Sequence, residues 1–398
     1  MSAMAPASPP PTLGDWLEPP VNRWAFSHVE EFLPTAVISR GRGEHRTFAE
    51  APLPLEDAEV DLAGARSTVA EFLERTRTDA IVVLHGEHIV FERYFGEGRP
   101  DRRHALMSIS KSIAGMAAGR LVDEGRLTLS APVESYVPEL AASAYGTATV
   151  GQVLDMSVSL RFNHDYRDPA SEVQALDRAS GWRPRGPEDP AVRAFLAALE
   201  PGDRPHGRST QYCSATTDVL AWILERAAGQ PYPEVIADRI WSRIGAEHDA
   251  LVTTDPEGTP YACAGINATA RDLARFGRCV LDNGSAGGTQ VIPEAWVRTT
   301  RGGAPSGVVP DADFREVHPN GSYRNKWWIT GDAAGSFLGL GIFGQYLWLD
   351  PERDVVIAKQ SSLLGPRAQR AEHASCLTQI AAAVAAARRS SHPGQEAR

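Results

Sequence analysis

The chain has 398 residues, 42% of them hydrophobic and 23% charged, a balance expected of a soluble globular protein with room for one large core and an inserted subdomain. The formal net charge of −10 argues against nucleic acid or an anionic membrane surface as the main partner. No run of about 20 apolar residues is present to span a bilayer.

The N-terminus, MSAMAPASPPPTLGDW, has neither a basic n-region nor an apolar h-region, so a cytoplasmic location is expected. Cys213, Cys263, Cys279 and Cys376 lie far apart with no metal-ligand spacing, which fits free thiols in a reducing compartment and gives no sign of a metal or organic cofactor.

Residues 1–60 are rich in Pro, Gly and charge around Trp16, Trp24 and Phe26. They read as an irregular arm over the body, frayed for its first dozen residues. An amphipathic helix is expected over 65–77 through Val69, Phe72 and Leu73. AIVVLHGEHIVFERYFG then reads as a hairpin turning at Gly86-Glu87.

From 136 to 309 the chain changes to short helical segments, with few strand signals. VGQVLDM, PAVRAFLAAL, TTDVLAWILERAAG and ATARDLARFGRCVLDN are the clearest. Strand patterns return in NKWWITGD, in FLGLGIFGQYLWLD taken as one run, and in VVIAKQSS after a turn at residues 351–354; a last helix is expected over 369–388. These features predict an α+β fold, with an antiparallel sheet built from both chain ends and flanked by helices. The expected division is an arm (1–60), a sheet domain (61–135 with 310–390), a helical subdomain (136–309) and a flexible tail (391–398).

The chemistry centres on Met107-Ser108-Ile109-Ser110-Lys111-Ser112. Ser108 and Lys111 are three residues apart at the head of a helix whose apolar stripe is Ile113, Met116, Ala117 and Leu121, so their side chains share a face. A serine hydroxyl is a poor nucleophile until a neighbour takes its proton, and a lysine neutralised by burial can do so whereas an arginine cannot. Of the 40 basic residues only Lys111, Lys326 and Lys359 are lysines. About 0.2 chance S-x-x-K matches are therefore expected. The spacing also fits a solvated lysine on an ordinary helix.

Tyr212, in Gln211-Tyr212-Cys213-Ser214 before a helix, is placed to relay a proton. By itself it equally fits a packed ring with a satisfied hydroxyl. Gly339-Leu340-Gly341-Ile342-Phe343-Gly344 matches the dinucleotide fingerprint G-x-G-x-x-G, but it sits in a strand-like run and opens no helix. No G-x-S-x-G nucleophile elbow and no H-E-x-x-H motif occurs.

With these three motifs together, the chain resembles the serine β-lactamase and penicillin-recognising superfamily, and within it the linear nylon-oligomer amidases. The likeness runs through WLEPPVNRWAF, the Ser108–Lys111 helix to LVDEGR, DPASEVQ, SGWR, QYCSATTDVLAWILER, TARDLAR and GQYLWLDP. It implies a β-lactamase/transpeptidase-like fold and a serine hydrolase that cleaves linear amides, such as 6-aminohexanoate oligomers, and short esters through an acyl-enzyme.

The resemblance further implies Ser108 as nucleophile, Lys111 as base, Tyr212 as proton relay, and the N–H groups of Ser108 and Ile342 as oxyanion hole. Tyr166, Asp177, Trp182, Cys263 and Gly341 would contact substrate, with Asp177 taking a terminal ammonium. The implied assembly is a homodimer. Gly339 stands where penicillin-binding relatives carry Lys or His, and Ser214 where β-lactamases usually carry Asn, which argues against β-lactam turnover. Cys263, in place of a better hydrogen-bonding residue, leaves a carboxylesterase with little amidase activity as the alternative within the class. An acylatable sensor that does not turn over is the alternative outside it.

Overall fold

In a computed structural model the residues described are 11–62 and 64–391. The expected fraying of residues 1–10 and most of the 391–398 tail lie outside them. The main sheet has eight strands, in the order Ser322–Arg324, Trp327–Ile329, Phe337–Gly341, Gln345–Asp350, Val355–Ser361, Thr78–His85, His88–Tyr94, Ala49–Glu50. Every neighbouring pair is antiparallel except the last, where Ala49–Glu50 runs parallel to His88–Tyr94. The two chain ends thus meet at the centre, with Ala358 opposite Val82.

Strand alternation gives the sheet two apolar faces. Ala80, Val82, Leu84, Leu347, Leu349, Val356 and Ala358 point into the larger core, shared with Ile113, Phe276 and the helices of the middle of the chain. Ile81, Val83, Tyr346, Trp348, Val355 and Ile357 point the other way, onto Phe72, Leu73 and the terminal helix Arg370–Ser391 through Leu377, Ile380, Ala381 and Val384.

Several local expectations change. The helix begins at Val69, because Thr68 and Glu71 form a reciprocal capping box while Ala65–Thr68 pairs as a strand with Glu59–Leu62. FLGLGIFGQYLWLD is two antiparallel strands, with Phe343 (φ 63°) and Gly344 (φ 88°) in left-handed conformations that reverse the chain between them. Its glycine motif therefore opens no helix. NKWWITGD starts as a turn at Asn325-Lys326, both with positive φ, and only Trp327–Ile329 is strand.

The sequence also hid a second sheet, ordered Thr35–Ile38, Ala250–Thr253, Ile266–Ala268, His104–Ala105. Its strands are two to four residues long, too short for periodicity to reveal. One comes from the arm, and Trp16 and Phe26 of the same arm are fully buried. Within the middle segment the four expected helices form as Val150–Leu154, Val192–Ala197, Ala215–Ala228 and Ala270–Leu281.

Candidate active site

Ser108 stands at the N-terminal boundary of the helix Ile109–Asp123, its side chain making no capping hydrogen bond, and follows Met107, whose φ of 48° is a strained value for a residue with a side chain. One turn on, Lys111 is 1% exposed and its Nζ donates to Ser108 Oγ at 2.8 Å. The same Nζ donates to the Cys263 carbonyl at 2.7 Å and lies 3.4 Å from Ser214 Oγ and 5.3 Å from the Tyr212 ring centroid. The Tyr212 ring is stacked on Trp328 on one side and on His164 on the other, at 5.1 and 5.7 Å.

His164 locks this arrangement. Burial holds its ring down at about 3, so it is neutral at working pH. Its Nδ1 lies 2.9 Å from the Tyr212 carbonyl and must donate there, which leaves Nε2 to accept from the Tyr166 hydroxyl at 3.1 Å.

Burial opposes charge on Lys111, but Tyr212, Cys263 and the Asp218 carboxylate act the other way and prevail, so its affinity for a proton is raised. Burial acts toward the neutral amine, as expected, and these neighbours oppose it. Asp218, itself pushed up to about 7 by burial, accepts from the Cys263 N–H at 3.0 Å.

Two cavities meet at Ser108. The larger, about 780 Å³, has an aromatic floor of Phe162, His164, Tyr212 and Trp328, with Arg167 and Arg370 among its rim. The smaller, about 250 Å³, is lined by Asp177, Trp182, Arg183, Tyr261 and the arm residues Leu17 and Glu18. Ser108, Tyr166 and Ile342 line both.

The match of residues 65–382 to the Beta-lactamase family model covers most of the chain. The chain belongs to the β-lactamase family. As a member of this family of serine hydrolases it is an enzyme of that class. It is 47% identical over 357 residues to 6-aminohexanoate-dimer hydrolase of Paenarthrobacter ureafaciens, covering 89% of each chain. A solved Bacillus anthracis structure assigned to 6-aminohexanoate-dimer hydrolase superposes with a TM-score of 0.85 at 31% identity, covering 95% of this chain and 97% of the other. Esterase EstB of Burkholderia gladioli is 31% identical over 197 residues, 46% of this chain and 49% of its own.

Within this β-lactamase-family site, Ser108, Tyr212, Tyr166, Ile342, Asp177 and Trp182 line the two cavities, and Lys111 lies buried against Ser108 Oγ. Trp182 is braced from behind: its Nε1 donates to Thr253 Oγ1 at 2.9 Å, and its carbonyl accepts from Trp16 Nε1 at 2.7 Å. Two expected contact residues do not line either cavity. Cys263 is fully buried and gives the site its backbone carbonyl.

Gly341 packs instead against the chain just before Ser108, where a Cβ would come 2.7 Å from the Leu106 carbonyl oxygen. At Gly339 a Cβ would come 3.1 Å from Ser112 Oγ, so the position has little room for the long cation found in penicillin-binding relatives.

Sequence reasoning missed His164, Asp218, Arg183 and Tyr261. Only Asp218 left a signal, as a charge inside the otherwise apolar face of TTDVLAWILERAAG. Among the described residues no cluster of His, Cys, Asp and Glu has the arrangement of a metal site.

Proposed function

We propose that this hydrolase cleaves linear amides, 6-aminohexanoate oligomers among them, and short-chain esters through an acyl-enzyme on Ser108. The observation that carries the reading is the 2.8 Å contact between Lys111 Nζ and Ser108 Oγ at the junction of the two cavities. Ser108 Oγ attacks the carbonyl carbon while its proton passes to the Lys111–Tyr212 pair. The resulting oxyanion sits against the backbone N–H groups of Ser108 and Ile342.

The C–N bond then breaks, the pair returns the proton to the leaving amine, and the amine departs through the larger cavity. Water attacks the acyl ester, frees Ser108 and releases the acid. The acyl chain occupies the smaller cavity, with Trp182 as its wall and Asp177 at its charged end. Tyr166, held by His164, borders the scissile bond.

The esterase reading within the same class is favoured by the Burkholderia relative and by esters having the better leaving group. Rates on a matched amide and ester of 6-aminohexanoate, measured with the wild type and Ser108→Ala, test the proposal. Turnover of both substrates, lost in the variant, is expected. Ester turnover with no detectable amide cleavage moves the enzyme to the esterases, and turnover surviving in Ser108→Ala contradicts both readings.

A further inference from the structure

A buried acid stands behind Lys111. On the helix Ala215–Ala228, Asp218 lies one turn past Ser214 and shares its face, the face that meets Lys111. Asp218 is 3% exposed. Its Oδ1 accepts from the Cys263 N–H at 3.0 Å, and the Cys263 carbonyl accepts from Lys111 Nζ at 2.7 Å. The backbone of one residue thus joins the carboxylate to the lysine. Just beyond it the Ile266 N–H donates to Ser110 Oγ at 3.1 Å, which ties the same segment to the Lys111 helix a second time.

The other carboxylate oxygen, Oδ2, is buried without a hydrogen-bond partner. A buried carboxylate in that state is costly unless a cation answers its charge. The titratable groups that face it are Lys111, Lys326, Cys263, Tyr145, Tyr232 and Tyr261, and of these only the two lysines are basic. Burial and then the charge of Lys111 hold Lys326 well below the usual lysine range, so it is neutral, and its Nζ has the Met156 sulfur at 3.4 Å as its hydrogen-bond partner. Lys111 is left as the cation that balances Asp218. The other groups around Lys111 do not displace Asp218 from that part: Tyr212 and Cys263 are neutral acids at working pH, His164 is uncharged, and Asp177 already accepts from Tyr261 and Arg183.

We propose that Asp218 is a positioning residue for Lys111: it fixes the Cys263 backbone that receives the lysine, and it is the buried counter-ion of the ammonium. The inference rests on the reading that Lys111 takes the Ser108 proton. Its two roles pull in opposite directions. The fixed carbonyl keeps Nζ within reach of Ser108 Oγ, whereas the negative charge retains the proton that Lys111 must lose before it can act as a base. Asp218 therefore secures the geometry of the base and delays its action to higher pH.

The test is the pH profile of kcat/KM for p-nitrophenyl butyrate, with spontaneous hydrolysis subtracted, in the wild type, Asp218→Asn and Asp218→Ala. Asp218→Asn keeps an oxygen for the Cys263 N–H and removes the charge. It is expected to move the alkaline rise down by about one pH unit, which is a gain of about tenfold in kcat/KM on the rising limb. Asp218→Ala is expected to show the same shift with a plateau kcat about tenfold lower, because the Cys263 N–H is left unpaired and the carbonyl is no longer held. A rise that stays within about 0.2 pH unit of wild type in both variants would overturn the proposal, since a merely structural Asp218 changes the height of the profile and not its position.

A second measurement needs only a folded wild type. Its three lysines are all buried, so lysine labelled isotopically at Cε gives three separate NMR signals, and comparison with Ser108→Ala identifies that of Lys111. That signal is expected to respond in two steps, the first near 7 as Asp218 ionises and the second at higher pH as Lys111 itself loses its proton. A single step would overturn the pairing. Two steps without an alkaline rise in wild-type kcat/KM would place the failure with Lys111 as the base and not with its pairing to Asp218.

Discussion

Lys111 meets three demands with one nitrogen: it donates to Ser108 Oγ, to the Cys263 carbonyl and toward Ser214. In the resting enzyme those contacts, with Tyr212 and Asp218 close by, favour the ammonium, and an ammonium cannot take the serine proton. The productive form has one proton fewer on Lys111. Because the proton affinity of Lys111 is raised, that form accumulates as pH increases above neutrality. Ionisation of Asp218 near 7 strengthens the hold on the proton and moves the rise further into the alkaline range.

The expected outcome is therefore a kcat/KM that climbs with pH on the alkaline side with a slope approaching about one proton, read with an ester whose own hydrolysis is subtracted. A plateau already reached below pH 7 would contradict it. At this scale the contact between Ser108 and Lys111 was legible because a spacing of three puts both side chains on one helix face. His164, Asp218, Arg183 and Tyr261 were hidden because their roles exist only through contacts between segments far apart in the chain.

The helix Ile109–Asp123 was legible as an element from its apolar stripe. A stripe through Ile113, Met116, Ala117 and Leu121 was expected, and the helix is buried on nearly every side from Ile109 to Gly119. Two glycines four residues apart explain how. A Cβ at Gly115 would lie 2.2 Å from the Asn325 carbonyl oxygen in the turn between Ser322–Arg324 and Trp327–Ile329, and one at Gly119 would lie 2.4 Å from the Trp296 ring.

The helix is then pinned where it is closest, since Ser112 Oγ donates to the Lys326 carbonyl at 2.9 Å and Trp296 Nε1 to the Gly115 carbonyl at 3.1 Å. Gly115→Ala meets backbone, which cannot rotate away. It is expected to cost about 2 kcal/mol, seen as a fall of several degrees in Tm, together with a lower kcat because Ser108 and Lys111 ride on the displaced helix. An unchanged Tm would show that the helix and the turn are less tightly coupled than their contact distance implies. Periodicity identifies a helix but does not say how many neighbours will surround it.

For the molecule as a whole, the decisive pairing is between strands from opposite ends of the chain, Val355–Ser361 against Thr78–His85. Closing so long a loop costs entropy that is recovered only when the sheet and both of its cores assemble together. A chain ending before Ser322 keeps the Thr78–Tyr94 hairpin and the Ile109–Asp123 helix but loses the five strands on one side and the terminal helix. It is expected to show no near-UV circular dichroism and no cooperative melt, and retention of either would contradict the account.

This architecture was largely legible, since strand patterns stood at both ends and helices between. The short second sheet and the use of the arm in it were not, because strands of a few residues have no period to read. Through Trp16 that same arm braces the wall of the smaller cavity, so the active site draws on both ends of the sequence.

The central claim is a covalent acyl group on Ser108. Intact mass after brief mixing with p-nitrophenyl butyrate, quenched in acid and followed by peptide mapping, tests it most directly. The account predicts one butyryl group per chain on the peptide carrying Ser108, absent in Ser108→Ala. An adduct on another residue, or one that persists in Ser108→Ala, would contradict it.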